Sequence, residues 1–208
     1  MDVLILCAGK SKRARNISQK KSKLLLSVNK KTIIEHNLAK ISNININKIF
    51  INLHFQKNLL KKKINQFSKN KKFKIQFLIE KKLKGTSGTL FALKKRIKNN
   101  VLVIYPDNLS DCNYKELLKF HIKNKSKITI CAYLSKQTKS SGVIKIDNNN
   151  NLKSFIEKPK KTFLTKQWCN AGIYILTKQI LEKLSKRDID FSNDFFTKLI
   201  KKKINIKV

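Results

Sequence analysis

Short apolar strand patterns alternate with amphipathic helical patterns over the first two thirds of this 208-residue chain. Alternation at this spacing is typical of βαβ units, in which helices cover a sheet of parallel strands. We therefore predict the α/β class, with a mainly parallel sheet flanked by helices. Ligands in such folds bind at the carboxyl ends of the strands. The predicted strands cover residues 3–7, 24–28, 48–53, 74–79, 101–105 and 128–134, and the predicted helices cover residues 32–41, 58–67, 87–97 and 114–123.

The pattern changes in the last third of the chain. Two strand-like runs, 142–147 and 152–156, are separated by four asparagines, which predicts a β-hairpin because Asn tolerates positive φ. No linker rich in Gly, Pro or Ser divides the sequence, so we predict one domain over residues 1–208 with a hairpin insertion. The other elements predicted here are a strand at 169–176 and helices at 178–184 and 191–203.

Lysine dominates the charge of the chain. Lys and Arg number 48 against 12 acidic residues, for a net charge of +36, yet only four of the 48 are Arg and 44 are Lys. Lys, Asn and Ile have AT-rich codons, so a biased genome produces this composition without selection for a basic surface. Nucleic-acid readers favour Arg, whose planar group makes bidentate contacts. We interpret the charge as a solvated lysine coat that favours anionic substrates, and we predict no specific nucleic-acid partner. A basic nucleic-acid-binding protein is the competing class.

The four cysteines predict neither a zinc site nor a disulfide framework. Cys7, Cys112, Cys131 and Cys169 are scattered, with no C-x-x-C pair and no His at ligand spacing. Free thiols in a reducing compartment are the default for this pattern. No signal-peptide pattern precedes the first strand, and no apolar run approaches the roughly 18 residues that span a bilayer. We therefore predict a cytoplasmic protein without a membrane partner.

The first predicted strand ends in a small, glycine-containing and very basic turn. Ala8 and Gly9 follow the apolar run, and residues 10–15 contain two Lys and two Arg. Small residues let backbone N–H groups approach phosphate oxygens, and the flanking cations neutralise the charge. The turn is neither a P-loop nor G-x-G-x-x-G. On these residues alone, a polyphosphate site and a solvated basic loop both stay open.

This region resembles the signature of the nucleotidyltransferase family that joins sugar 1-phosphates to nucleoside triphosphates. The family pattern A-G-x-G-T-R-L-x-P is followed later by P-K-x-L-L-P-V. Gly9, Arg13 and Lys23 stand at matching positions. Ser11 replaces the second glycine, as in the G-x-S-x-R version of related cytidylyltransferases.

Two segments in the middle of the chain also resemble the family. Residues 85–90 resemble G-T-A-G-A-L, and residues 101–108 resemble a strand ending in G-D, with Asp107 as the acid. Without the resemblance, the interpretation would be a helix N-cap at Thr86 or Ser87 and a turn former at Asp107.

Three more segments follow in the family's order. They are residues 141–147 with 155–159, similar to Y-G-V-V-x-x-D and F-x-E-K-P, residues 170–176, similar to N-A-G-I-Y-x-L, and residues 190–196, similar to D-F-x-x-D-x-L. The simpler interpretations are an exposed ion pair of Glu157 with Lys158, and helix capping by Ser192 or Asn193.

The resemblance implies a Rossmann-like nucleotidyltransferase fold and a reaction of a sugar 1-phosphate with an NTP that gives an NDP-sugar and pyrophosphate. It implies a catalytic set of Arg13 at the β and γ phosphates, Lys23 at the α-phosphate, and Asp107 as the ligand of Mg²⁺. The implied nucleotide-binding residues are Leu6, Ala8, Gly9, Lys10, Ser11, Gly85 and Thr86. The implied sugar-phosphate-binding residues are Gly142, Glu157, Lys158 and Asn170. The nucleotide-binding part would cover residues 1–135 and the sugar-phosphate part residues 136–208.

The resemblance leaves alternatives open. The size and the hairpin are most similar to bacterial guanylyltransferases that act on mannose- or heptose-type 1-phosphates for cell-surface polysaccharides, and a cytidylyltransferase of the same fold is the second hypothesis. Family members usually continue with a segment resembling D-I-G-T-P-x-D that adds carboxylates near the metal, whereas this sequence stops at Val208. A degenerate homologue that binds sugar nucleotides without turnover is therefore the third hypothesis. The resemblance does not specify the base, the sugar or the oligomeric state. A homo-oligomer is one candidate.

Overall fold

The structure of the protein, a computed structural model, describes residues 1–9, 22–160 and 163–208. Each of its two compact units is built from two stretches of chain. Unit 1 is Met1–Leu83 with Val103–Lys115, and unit 2 is Lys84–Leu102 with Glu116–Val208. The predicted domain, with its two functional parts, stays a prediction.

Unit 1 contains a parallel sheet with helices. Its elements are β1 (Asp2–Leu6), a 3-10 helix (Lys23–Leu25), β2 (Ser27–Val28), β3 (Lys31–Thr32), α1 (Ile33–Ile41), β4 (Lys48–Leu53), α2 (Lys57–Ser68), β5 (Ile75–Ile79) and the end of β6 (Val101–Ile104). The strand order is β6-β1-β4-β5, and β4 pairs in parallel with both β1 and β5. Nearly every residue of β1 and β4 is buried, which explains their continuous apolar runs, because parallel strands are covered on both faces.

Helix α1 shows how local sequence sets the limits of an element. Thr32 and Glu35 form a capping box, in which Glu35 Oε2 accepts from Thr32 N at 2.7 Å. The inner face repeats at helical spacing. Its buried members are Ile34, Asn37, Leu38 and Ile41.

Unit 2 contains the predicted hairpin. Its elements are α3 (Thr86–Leu93), the start of β6, most of α4 (Tyr114–Lys123), β7 (Ile128–Ser135), β8 (Gly142–Ile146), β9 (Leu152–Glu157), β10 (Gln167–Leu176), α5 (Lys178–Leu181), a π-helix (Phe191–Phe196), α6 (Thr197–Lys201) and β11 (Ile206–Lys207). Strand β10 pairs antiparallel with β7 and with β8, and β8 pairs antiparallel with β9. In the hairpin turn, Asn150 takes a φ of 58°, as the asparagine run predicts.

The fold class is confirmed. The protein is mixed α/β, with a mostly parallel central sheet flanked by helices and a β8–β9 hairpin. The bounds of β4 and α4 agree with the prediction at both ends. None of the helices in the described ranges is long and apolar enough to cross a membrane.

The prediction of one strand over residues 24–28 is wrong for its first half, and only Ser27–Val28 is a strand. The chain there forms the 3-10 helix, which packs against α1, and then the two-stranded ribbon of β2 and β3. Asn29 and Lys30 have φ angles of 48° and 65°, which reverse the chain between the two short strands. Leu24 is the buried side chain of the 3-10 helix, so this apolar run anchors a loop instead of joining the main sheet.

The prediction of a helix over residues 191–203 is right in position, but the segment contains two helix types. A π-helix precedes α6, and the sequence pattern does not indicate β11, which pairs in parallel with β7. Phe191 and Phe196 stack with ring centroids 5.5 Å apart, and Tyr174 meets Phe196 edge-on at 5.3 Å. The wide turn brings both phenylalanines onto β10, where they are fully buried.

Both of the simpler capping interpretations are also wrong. Gly85, with a φ of 78°, is the N-cap of α3 in place of Thr86 or Ser87. Asp190 caps the π-helix by accepting from the N–H groups of Ser192 at 2.8 Å and Asn193 at 3.1 Å. The Asp190 carboxylate accepts from two N–H groups that have no partner within the helix. In the described structure, neither the Ser192 nor the Asn193 side chain caps the helix in this way.

Candidate active site

The carboxyl end of β1 carries the first predicted nucleotide-binding residues. Leu6 is half-buried and pairs with Asn52, and Ala8 is buried. Gly9 is exposed, and a Cβ built on it would meet none of the described atoms within 4 Å. Among the described residues, the backbone of Gly9 is therefore uncovered where the chain leaves the sheet. Three predicted residues, Lys10, Ser11 and Arg13, lie outside the described residues.

A buried polar network holds this end of β1. Asn52 Oδ1 accepts from Cys7 N at 2.7 Å, and Asn52 Nδ2 donates to Glu80 Oε1 at 3.0 Å. His54 Nδ1 bonds the Glu80 carbonyl oxygen at 2.8 Å. Asn52 and Glu80 are nearly inaccessible to solvent, so these bonds are shielded from competing water.

The Cys7 thiol beside this network is buried, which disfavours its ionisation to the nucleophilic thiolate. Burial is the larger cause that raises its pKa far above the ordinary value, and the nearby negative charge of Asp107 raises it further. A protonated buried thiol is inert. Strands β6 and β1 are neighbours in the sheet, so the loop with Asp107 follows a strand adjacent to the one that Cys7 follows.

Lys23 and Asp107, two of the predicted catalytic residues, form an ion pair in unit 1. Each side chain is about one third exposed, so both can reach a ligand in solvent. The loop that carries Asp107 is held by Asn37, whose side-chain amide donates to the Pro106 carbonyl at 2.9 Å. Ser22, just before Lys23, donates its N–H to Gln56 Oε1 at 2.7 Å.

Asp107 fits the Mg²⁺ prediction as a single protein ligand. The described residues contain no group of three His, Cys, Asp or Glu side chains that could enclose a metal. Mg²⁺ does not need such a cage, because it is usually bound through one or two carboxylates together with substrate phosphates and water. The partly exposed carboxylate of Asp107 at the end of a buried strand meets that requirement.

In unit 2, Gly85 and Thr86 are joined to the segment that precedes the π-helix. A Cβ on Gly85 would lie 2.4 Å from the Ile189 carbonyl oxygen, so glycine is required by contact as well as by its φ of 78°. Thr86 Oγ1 donates to Asp190 Oδ2 at 3.3 Å and accepts from Phe191 N at 3.0 Å. These bonds hold the start of α3.

Gly142 and Glu157 are paired across β8 and β9. Glu157 Oε1 lies 3.1 Å from Lys158 Nζ, and its Oε2 accepts from Ser192 Oγ at 3.2 Å. The Glu157 side chain is one quarter exposed, and that of Lys158 one half. Lys158 has a left-handed φ of 45°, and its N–H donates to the Ser141 carbonyl at 3.1 Å.

Asn170 lies at an irregularity of β10. The register of β10 with β8 pairs Trp168 with Ile144 and Cys169 with Val143, and Asn170 directly follows Cys169. Asn170 donates to the Tyr174 hydroxyl at 2.6 Å and accepts from Gly172 N at 3.0 Å, beside the shift in pairing with β7.

The structure thus brings the predicted sugar-phosphate residues together. Gly142 opposes Glu157 across β8 and β9, and opposed residues of antiparallel strands lie on the same face. Asn170 lies on the neighbouring strand β10, next to Cys169, whose partner Val143 follows Gly142 on β8. Lys158 follows directly at the end of β9. Their binding roles stay predictions.

Sequence reasoning missed the polar residues that hold these groups. In unit 1 they are Asn37, Asn52, Gln56 and Glu80. In unit 2 they are Asp190, which caps the π-helix, and Ser192, which donates to Glu157. A signal was available for Asn52, since it is the polar residue inside an otherwise apolar strand pattern. The link from Ser192 to Glu157 spans 35 residues and has no local signal.

The sequence model of the family described as nucleotidyl transferase matches residues 2–207 of this chain. The chain is 33% identical over 182 residues to the bifunctional protein GlmU of Methanococcus maripaludis strain C5, covering 86% of this chain and 41% of that protein. It is 26% identical over 208 residues to a mannose-1-phosphate guanyltransferase of Pichia angusta, covering 98% of this chain and 57% of that protein. The chain therefore spans about half the length of the curated relatives it matches.

Solved structures share the fold. HddC from Yersinia pseudotuberculosis superposes with a TM-score of 0.80 at 23% identity, over 99% of this chain and 88% of that chain. The same protein complexed with GMP-PN gives a TM-score of 0.77, over 95% of this chain and 85% of that chain. A putative glucose-1-phosphate thymidylyltransferase from Bacillus anthracis, in complex with a sucrose, gives 0.83 at 18% identity, over 100% and 85% of the two chains.

Proposed function

We propose that this chain, which belongs to the nucleotidyl transferase family, joins a sugar 1-phosphate to an NTP and releases pyrophosphate. The observation that carries the proposal is the grouping of Gly142, Glu157 and Lys158 on β8 and β9, with Asn170 on the neighbouring strand β10. An amide, a carboxylate and an ammonium group in one place suit a ligand that combines hydroxyls with a phosphate.

In the sugar half of the site, Glu157 accepts hydrogen bonds from sugar hydroxyls, and Asn170 offers both a donor and an acceptor. Lys158 meets the phosphate as a compact positive charge. Gly142 contributes by lacking a side chain, because a Cβ there would come within 3.0 Å of Glu157 Oε2.

In the nucleotide half, the proposed base and phosphate contacts are Leu6, Ala8, Gly9, Lys10, Ser11, Gly85 and Thr86. Lys23 binds the α-phosphate and Arg13 the β and γ phosphates. Mg²⁺ held by Asp107 would supply further neutralisation of phosphate charge when bound. Asp107 pairs with Lys23, so it also keeps that ammonium group at the end of β6.

The chemistry requires no strong base. The second pKa of a phosphate monoester is near 6, so its oxygen is already anionic at pH 7. The protein has to align that oxygen with the α-phosphorus and stabilise the charge of the leaving pyrophosphate. Cations and partly exposed polar groups suffice for both tasks, and these are the residue types that the site contains.

Guanosine triphosphate with a mannose- or heptose-type 1-phosphate is the first pair to test, because a mannose-1-phosphate guanyltransferase and a GMP-PN complex are among the similar proteins. A role in sugar-nucleotide supply for cell-surface polysaccharide, a cytoplasmic location and a homo-oligomer belong to the same proposal. Residues 1–135 would bind the nucleotide and residues 136–208 the sugar phosphate.

The test is a matrix of four NTPs against several sugar 1-phosphates, with Mg²⁺, read by pyrophosphate release. We expect GTP to support turnover with at least one sugar 1-phosphate. Preference for CTP would favour the cytidylyltransferase hypothesis, which the G-x-S-x-R form of the loop supports. NTP binding without turnover for any pair would favour the degenerate homologue.

Variants separate the two halves of the site. Glu157→Ala should raise the KM for the sugar 1-phosphate and leave the KM for the NTP unchanged, because removing a hydrogen-bonding partner penalises the ligand it binds. The matched control is Glu116→Ala, an exposed glutamate paired with Lys119 on α4. A rise in the NTP KM alone would place Glu157 in the nucleotide site.

A further inference from the structure

Ser192 is a buried hydroxyl that the proposed function has not used. It is 6% exposed and lies in the second position of the π-helix. Its N–H donates to Asp190 Oδ1 at 2.8 Å, and its carbonyl oxygen accepts from Thr197 Oγ1 at 2.9 Å. Both backbone polar groups of Ser192 are thus hydrogen-bonded, so the position of its Cα, from which the hydroxyl projects, is fixed.

The hydroxyl points at the carboxylate of Glu157. Ser192 Oγ donates to Glu157 Oε2 at 3.2 Å, while Lys158 Nζ lies 3.1 Å from Glu157 Oε1. One partner for each oxygen defines the orientation of the carboxylate plane. Since Lys158 is half exposed and its side chain is long, the buried Ser192 is the rigid partner of the two.

The carboxylate keeps capacity for a ligand. An ionised carboxylate has about four acceptor positions, so two contacts leave about two for hydroxyl groups. The Glu157 side chain is one quarter exposed, so its carboxylate can be reached from solvent.

We propose that Ser192 is a positioning residue, which holds Glu157 in the orientation that binds the sugar hydroxyls. This inference rests on the proposed sugar 1-phosphate nucleotidyltransferase activity, and it adds a residue of the π-helix to the sugar site. Ser192 acts through Glu157 and not on the reacting phosphate. Its loss therefore weakens binding of the sugar and leaves the nucleotide half unchanged.

The experiment compares Ser192→Ala with Asn193→Ala in steady-state kinetics. Asn193 is the exposed neighbour in the same π-helix, and its backbone bond to Asp190 does not depend on its side chain. We expect Ser192→Ala to raise the KM for the sugar 1-phosphate about tenfold, the effect of one hydrogen bond to a charged group. The kcat, the KM for the NTP and the melting temperature should match those of Asn193→Ala.

A double-mutant cycle distinguishes positioning from a purely structural role. In a Glu157→Ala background, Ser192→Ala should raise the KM no further, because the side chain through which it acts is gone. Additive effects would overturn the inference. Ser192→Cys provides a second variant should the alanine protein fold poorly, and its weaker donor should give an intermediate KM.

The outcomes also separate this inference from the proposed function. A wild-type chain that releases no pyrophosphate with any substrate pair contradicts both. An active wild-type chain in which Ser192→Ala equals Asn193→Ala contradicts the positioning role alone.

Discussion

At the candidate sugar site, the space beside Gly142 is too small for a side chain. A Cβ on Gly142 would lie 2.4 Å from Phe155 Cε1 and 2.7 Å from its Cζ. The Phe155 ring cannot retreat easily, since its centroid lies 5.9 Å from that of Phe196, which is fully buried. Glycine at position 142 is therefore set by space and not by backbone angle.

Gly142→Ala should lower the free energy of unfolding by about 1–3 kcal/mol, the usual cost of overpacking. Displacement of Phe155 and Glu157 should also raise the KM for the sugar 1-phosphate. Urea unfolding measures the first effect and steady-state kinetics the second. Gly9→Ala is the stability control, because its Cβ meets none of the described atoms within 4 Å. Equal unfolding free energies for the two variants would contradict the clash.

Helix α4 and strand β7 are joined by a buried polar pair. His121 Nδ1 bonds Thr129 Oγ1 at 2.8 Å, and His121 is 2% exposed. Within the described ranges, His121 Nε2 has no hydrogen-bond partner. Burial lowers the pKa of His121 to about 4, because removal from water disfavours the charged imidazolium.

This pair predicts a loss of stability in mild acid. The unfolded chain protonates this histidine near its ordinary pKa of 6.5, whereas the folded chain does so only near 4. The unfolded state therefore binds more protons between these values, and stability falls as the pH falls. We expect His121 to account for a loss of about 2–3 kcal/mol between pH 7 and pH 4.5.

Urea unfolding at the two pH values measures this loss. His121→Gln should reduce the pH dependence by that amount, because the side chain no longer titrates. His36→Gln is the control, since His36 lies in unit 1 and bonds the Val28 carbonyl. A His121→Gln protein with the wild-type pH dependence would show that other groups cause the loss.

At the scale of the whole molecule, the charge of +36 determines how the protein meets polyanions. The excess comes from lysines spread over every segment of the chain. Lysine gives compact point charges without the bidentate geometry that reads a base edge. Binding to nucleic acid should therefore be independent of base sequence, and its free energy should come from counterion release.

Duplex DNA should bind without sequence preference and release steeply as salt is raised. Fluorescence anisotropy with two unrelated duplexes, at low and at physiological salt, measures both properties. We expect similar affinities for the two duplexes and an equal decrease of both as salt is raised, since each neutralised phosphate contributes to the salt dependence. Nanomolar binding to one sequence that persists at physiological salt would favour the nucleic-acid-binding class over the proposed enzyme.

The α/β class, most element positions and the family were predictable from the sequence alone. Strand and helix patterns repeat within a few residues, so β4 and α4 could be predicted to the residue. The hairpin followed from the preference of Asn for positive φ, which Asn150 adopts. Each motif by which the chain resembles the family is a contiguous segment, and the family model matches residues 2–207.

Only the tertiary structure decided which residues meet across long separations. Lys23 pairs with Asp107 from 84 residues away, and Ser192 reaches Glu157 from 35 residues away. The π-helix and β11 depend on aromatic packing and on the edge of β7, which no local pattern encodes. Apolar periodicity reports which face of an element is buried, but it carries no information on the partner that buries it. The contacts that position the site therefore become visible only in the fold.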